Sequence, residues 1–308
     1  MARKKPARKK KGNNKGKKSL WLWFILLLLL VGSIAATVYL VFLRPGTIIK
    51  PLSPPLTSVP KKRPAAVPEK AVAPPPVTTA PTKITPKAPQ LPIVSIIIDD
   101  MGFQDKICAD LIALDLNLSF AFLPFGPNTA KQLAEARQHK RDILLHLPME
   151  PQESKWTPGP GALLTSMNSR QIQATLAGDL AAVPHAIGVN NHMGSRFTEN
   201  RAAMRACLAL LKEHNLFFLD SLTSPGSVAF VMAKEMGLRT ARRDIFIDNS
   251  QDPQQVMKQL DALISLARKK GSAIGIGHPH QATLDALRTY QTKLQDQIQL
   301  VGVSRLAK

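Results

Sequence analysis

Acidic residues are missing from the front of this chain. Residues 1–18 hold ten Lys/Arg and no Asp or Glu, 19–43 hold no charge of either sign, and 44–91 hold eight basic residues against one acid. The net charge of +20 therefore belongs to a tail and a linker. Residues 92–308 carry 23 basic and 20 acidic groups, about +3, which leaves no electrostatic footprint for a polyanion and argues against nucleic acid as a partner. Cysteine is nearly absent. Cys108 and Cys207 are two thiols about a hundred residues apart, each among apolar neighbours, which reads as buried free thiols rather than a disulfide framework. No glycine-rich phosphate loop and no nucleophile elbow occurs, which weakens phosphoryl-transfer and serine-hydrolase readings.

What is present divides the chain into four parts. Residues 1–18 form a basic tail. Residues 19–43 are apolar and uncharged, long enough to span a bilayer as one helix, with Trp21, Trp23 and Tyr39 near the two interfaces. The run exceeds a cleavable signal's apolar core, although the small residues Ala35 and Ala36 leave cleavage open. The positive-inside rule keeps the tail in the cytoplasm and sends the rest across a bacterial inner membrane, to the periplasm or cell exterior. Residues 44–91 contain thirteen prolines from Pro45 to Pro89 and read as an extended, disordered linker. Residues 92–308 suffice for one large domain.

Within 92–308, strand-like runs fall at Ile93–Ile98, Leu118–Leu123, Asp142–Leu147, Ala186–Val189, Leu216–Leu219, Asp244–Ile247, Ala273–Ile276 and Ile298–Val301. Helical patterns lie between them. Asn168 or Ser169 caps one helix, Thr198 caps Glu199–Glu213, and Pro253 and Gly271 bracket another. This alternation implies an α/β fold, a distorted (β/α) barrel of seven or eight parallel strands; a doubly wound open sheet is the runner-up. The long Pro/Gly-rich loop from Glu150 to Met167 is a candidate binding loop.

Polar residues gather at the strand ends. Asp99 and Asp100 end the first, His146 the third, His192 follows the fourth, Asp220 ends the fifth, Asp248 the sixth, and His278 and His280 the seventh. All lie at C-terminal strand ends, the face on which barrels build active sites. Two imidazoles and a carboxylate suit Zn²⁺ with an open position, a second carboxylate can serve as base, and a further histidine can protonate a leaving group. A lone Asp in such a place more often caps a helix, and Asn190 and Asn191 can simply pin a turn. For Asp220 and Asp248, substrate binding and loop capping weigh equally. His139, His185 and His214 read as structural, and Phe122, Phe125, Phe217 and Phe218 as core.

The blocks Ile97-Ile98-Asp99-Asp100-Met101-Gly102, His146-Leu147-Pro148-Met149-Glu150, Asn190-Asn191-His192-Met193-Gly194-Ser195, Phe218-Leu219-Asp220-Ser221 and Gly277-His278-Pro279-His280 resemble the divergent polysaccharide deacetylases. These are a distant branch of the deacetylases that act on chitin oligomers and peptidoglycan. The resemblance covers nearly all of 92–308. It implies a metal-dependent hydrolase of N-acetyl groups on a polysaccharide or peptidoglycan fragment, with a divalent cofactor, Zn²⁺ first. It also implies Asp99 as base, Asp100 as metal ligand, and His278 or His280 as general acid. The better-studied branch takes two metal histidines from one His-x-x-x-His stretch. Here only His146 stands in such a stretch, followed by Glu150, so His192 supplies the second ligand on spatial grounds. The arginine block that orients the base is not recognisable, and Arg196 is its nearest substitute. Substrate contacts are assigned to Asn191, Asp220 and His280. The rival classes are a non-catalytic glycan-binding envelope protein with the same fold, and a structural cell-wall tether.

Overall fold

The structure is a computed structural model, and it describes residues 91–308. The expected tail (1–18), membrane helix (19–43) and linker (44–91, Leu91 excepted) lie outside the described residues. Among those described, no helix is long and apolar enough to cross a membrane.

Nine strands form one parallel sheet: β1 (Ile93–Met101), β2 (Ser119–Phe122), β3 (Asp142–Met149), β4 (Gly188–Met193), β5 (Phe217–Asp220), β6 (Thr240–Arg242), β7 (Ile245–Phe246), β8 (Ser272–Gly277) and β9 (Gln299–Leu300). Their order is β6-β5-β4-β3-β2-β1-β8-β7, with the short β9 paired to the start of β1. Six strands succeed one another in one direction, and β8 and β7 continue from the other side of β1. A doubly wound sheet would instead reverse at a switch point. β6 and β7 stand at opposite ends of this order, yet only Arg243 and Asp244 separate them in the chain. Three Cα steps of 3.8 Å reach about 11 Å, so the sheet curls until its edges lie side by side. The C-terminal segment backs this seam: Thr240 and Lys308 exchange backbone hydrogen bonds of 2.9 and 3.1 Å.

Burial on both faces explains the near-continuous apolar strands. Ile96, Ile98, Phe120, Phe122, Leu145, Leu147 and Phe218 face the helices. Ile97, Ala121, Leu144, Phe217, Leu219, Ile274 and Ile276 fill the barrel interior with Val303 and Ala307. Each Ile, Leu, Val or Phe among these contributes about 1.5–3 kcal/mol by leaving water. The interior is tight where β4 passes β5. A Cβ on Gly188 would lie 2.3–2.5 Å from three ring carbons of Phe217, so Gly188→Ala would overpack it.

The local expectations fare unevenly. Asn168, not Ser169, caps Ser169–Ala182, in a reciprocal box with Gln171. Asp252 caps Pro253–Lys270, which Gly271 ends at φ 85°. Thr198 is not a cap: its hydroxyl donates to the Gly194 carbonyl, and Asn200 caps a helix that begins at Arg201. The strand Thr240–Arg242 was not expected; at three residues it is too short for any alternation to register. Cys108 and Cys207 are free and buried.

Candidate active site

Strand alternation builds the site in two layers. Ile97, Leu144, Leu219 and Ile276 point into the barrel and form its apolar floor. Two residues further along the same faces come Asp99, His146, Ser221 and His278. On β4 the inward series is Gly188, Asn190, His192. The upper ends of five strands thus present polar groups over an apolar floor.

Asp100 breaks the alternation. By parity it should face the helices. Its φ of 54° and the register shift between β1 and β2 from Ile98 to Met101 turn it back over the mouth. A left-handed non-glycine residue costs about 1–3 kcal/mol and persists where the surroundings over-determine it. Met193, just after His192, is held likewise at φ 52°.

Three donor atoms converge there. Asp100 Oδ1 lies 2.9 Å from His192 Nδ1 and 3.1 Å from His146 Nε2, and the two ring nitrogens are 3.2 Å apart. The carboxylate oxygen is shielded from solvent and makes no well-directed hydrogen bond. Burial pushes the Asp100 carboxyl up, but the adjacent imidazoles more than reverse this and hold it well below the usual range. Two nitrogens and one oxygen in a nearly equilateral triangle fit a cation with bonds of about 2.0–2.2 Å, and the N, N, O set is the kind Zn²⁺ takes.

Asn190, fully buried, ties this triangle to Asp99. Its Oδ1 accepts from His146 Nδ1 at 2.9 Å, which leaves the lone pair of Nε2 facing Asp100 and His192. Its Nδ2 donates to Asp99 Oδ1 at 2.8 Å and to Ser221 Oγ at 3.2 Å. Asp99 is 2% exposed, with Oδ2 3.7 Å from His146 Nε2. Burial raises its pKa, against the pull of the nearby histidines.

His278 stands at the end of β8. Asp248 accepts from its ring Nδ1 at 3.0 Å and from its backbone N–H at 2.5 Å, and from Thr283 Oγ1 at 2.8 Å. Burial opposes the charged imidazole, but the Asp248 carboxylate outweighs it and lifts the His278 pKa to about 9. Phe246 stacks on the ring at 5.9 Å, and the His280 ring is 5.8 Å away.

Other expectations need correction. Asn191 is buried and spent on its own loop, donating to Met193 O and Thr223 Oγ1 and accepting from Ser221 N–H. Asp220 is wholly buried and pins 222–230, accepting from Leu222 N–H, Ser227 Oγ and Phe230 N–H. Neither is free to bind substrate. Glu150 anchors the long loop through Thr165, and Arg196 serves that loop too, so Arg196 does not orient Asp99. Arg243 comes nearer to that role. Its guanidinium stacks 3.6 Å over Phe246, donates to the carbonyls of Ser221 and Leu222, and feels the charge of Asp99. Arg243 escapes the sequence reading. That reading takes Asn190 only as a residue that can pin a turn, although inward parity on β4 marks it. Phe125 is not core but half exposed.

Residues 96–307 match the family model of the divergent polysaccharide deacetylases. Over 213 residues the chain is 40% identical to an uncharacterized protein of Haemophilus influenzae, covering 69% of this chain and 76% of that one. It is 35% identical over 213 residues to the uncharacterized protein YibQ of Escherichia coli K12, covering 69% and 66%. The crystal structure of an uncharacterized protein from Agrobacterium tumefaciens superposes with a TM-score of 0.68 at 25% identity, covering 71% of this chain and 91% of that one.

Proposed function

The chain belongs to the divergent polysaccharide deacetylase family, and from that premise we propose that it is a metal-dependent hydrolase removing N-acetyl groups from an envelope glycan. The observation that carries this reading is the convergence of Asp100, His146 and His192 beside the buried Asp99, with His278 at the neighbouring strand end. Asp100, His146 and His192 would hold the ion, Zn²⁺ first. When bound, such an ion polarises an acyl oxygen and lowers the pKa of water. Asp99 takes a proton from the attacking water as its oxygen bonds to the acetyl carbon. His278, held protonated by Asp248, gives a proton to the departing nitrogen as the C–N bond breaks. The products are acetate and a free amine. Asn190 keeps Asp99 and His146 in register throughout.

The sequence supports the placement of this chemistry. In this reading residues 19–43 cross the inner membrane once, 1–18 remain cytoplasmic, and 44–91 tether the barrel on the far side. A reporter that works only in the cytoplasm, fused after Lys308, should be silent; activity would reverse the topology.

The test of function is acetate release by the full chain from N-acetylated oligosaccharides, with and without chelator. Release that chelator abolishes and Zn²⁺ restores is the expected result. A metal-loaded protein that binds these glycans and releases no acetate would be a glycan-binding protein instead.

A further inference from the structure

We propose that Asp248, His278 and His280 form a second, weaker cation site, and that Zn²⁺ bound there silences the proton donor. The silencing rests on the deacetylase reading; the site itself does not.

A carboxylate oxygen of Asp248 and one ring nitrogen each of His278 and His280 lie within 4.8 Å of one another. The donor set is again two imidazoles and one carboxylate, the kind Zn²⁺ takes. Local geometry brings it together. Only Pro279 separates the two histidines, and the His280 N–H donates to the His278 carbonyl at 2.7 Å, a tight turn that leaves the rings 5.8 Å apart. Asp248 is buried and its orientation is set, because Oδ2 accepts from Thr283 Oγ1 and from the His278 backbone N–H. Its Oδ1 accepts only from His278 Nδ1, at 3.0 Å. Phe246 stacks on the His278 ring and holds its plane. Bonds of about 2.0–2.2 Å to a tetrahedral ion set donors roughly 3.4 Å apart. Asp248 and His278 stand near that spacing. The His280 ring is half-buried and has no hydrogen-bond partner among the described residues, so it can turn to complete the set.

Two features rank the sites. At the first centre His146 Nε2 offers a lone pair, because Nδ1 carries the proton to Asn190. At the second, the ion must displace the proton that His278 Nδ1 donates to Asp248. The N-terminus of the helix Gln281–Gln297 also repels a cation, an effect that Asp248, bonded to Thr283 in its first turn, offsets in part. The second site therefore fills after the first, at far higher free Zn²⁺.

Filling it changes the acid. The bond from Nδ1 to Zn²⁺ forms as the Nδ1 proton leaves to solvent, and an imidazolium becomes a metal-bound neutral imidazole. The remaining Nε2–H is then too weak an acid to protonate a departing nitrogen. The base is affected too. Ile98 pairs with Gly277 across β1 and β8, so Asp99 and His278 follow side by side and feel each other's charge. A dication at His278 favours the ionised form of Asp99 and so weakens it as a proton acceptor.

The experiment uses the full chain in detergent, stripped by chelator and dialysed. Zn²⁺ uptake is counted by equilibrium dialysis with elemental analysis. Wild type should take up two equivalents, the second at much higher free Zn²⁺. His280→Ala and His280→Gln should each lose the second equivalent and keep the first. A single equivalent in wild type, or a second one of unchanged affinity in both variants, overturns the site. Acetate release from N-acetylated oligosaccharides is read along the same titration. It should rise with the first equivalent and fall as the second fills, and the fall should disappear in His280→Ala. Release that stays level while wild type takes up its second equivalent overturns the silencing. A second equivalent that His280→Ala removes, with no release at any Zn²⁺ concentration, sinks the deacetylase reading and leaves the site. Release by a wild type that takes up one equivalent does the reverse.

Discussion

Asp248 grips His278 twice, by the ring Nδ1–H and by the backbone N–H. The first bond fixes the tautomer and the second fixes the strand end that carries the ring. With its pKa raised to about 9, the imidazole is charged at neutral pH and can donate a proton. Asp248→Asn removes the counter-charge and should let the ring fall toward its ordinary value of about 6.5. The alkaline limb of kcat should then move from near 9 down by about two units. Stability follows the same sign. A histidine raised in the folded state stabilises fully below about pH 6.5 and loses that contribution as pH rises through 9. An alkaline limb that stays in place in Asp248→Asn removes His278 as the donor.

One Asn190 amide serves both Asp99 and His146. Removing such a partner of a metal histidine typically costs about 10–100-fold in metal affinity. Asn190→Ala should weaken Zn²⁺ binding by that amount in chelator competition, with the fold intact by circular dichroism. Unchanged affinity would make Asn190 packing alone.

Three donors set 2.9–3.2 Å apart, one of them a solvent-shielded carboxylate oxygen, should also make stability depend on metal. At a hundredfold excess of free Zn²⁺ over Kd the gain is about 2.7 kcal/mol. Thermal unfolding should shift upward on adding Zn²⁺ and return with chelator, and His146→Ala should abolish the shift. A shift of the same size in His146→Ala would place the ion elsewhere.

Much of this site was legible because period-two alternation and strand ends are local signals. Asp99, His146 and His278 stand at the strand ends the alternation marks, whereas His192, expected after its strand, lies within β4, which runs on to Met193. Asp100 was named for the right region, but only a left-handed φ brings it to the histidines, and no pattern announces a φ. Asn191 and Asp220 misled because sequence shows that a side chain is polar, not how many of its bonds the loop has already taken. Asp248 stands between two roles in the sequence, and it holds a histidine thirty residues on, a pairing set by the parallel register of β7 and β8. Arg243 was invisible because it joins two edge strands, one of which is three residues long.

The last expectation concerns a carboxylate outside the reaction. Asp179, in the helix Ser169–Ala182, is wholly buried and neither oxygen has a hydrogen-bond partner. Burial alone lifts its pKa to about 7. It lies under the long loop, against Gly161, where an added Cβ would overlap its Oδ1, with the buried thiol of Cys207 near enough to feel its charge. An acid raised in the folded state binds its proton more tightly there than in the unfolded chain. Stability is therefore full below the unfolded value of about 3.8, declines as pH rises to 7, and is level above that. The penalty above pH 7 is on the order of 4 kcal/mol, since each unit is worth about 1.4. Asp179→Asn removes the titration. Its melting temperature should exceed that of the wild type by several degrees at pH 8, at about 2–4 °C per kcal/mol, and the difference should shrink toward pH 4. Urea or thermal melts of both proteins from pH 4 to 8 measure it. A difference that does not grow with pH would show that Asp179 has a partner in solution, and the loop above it would then be held by that partner.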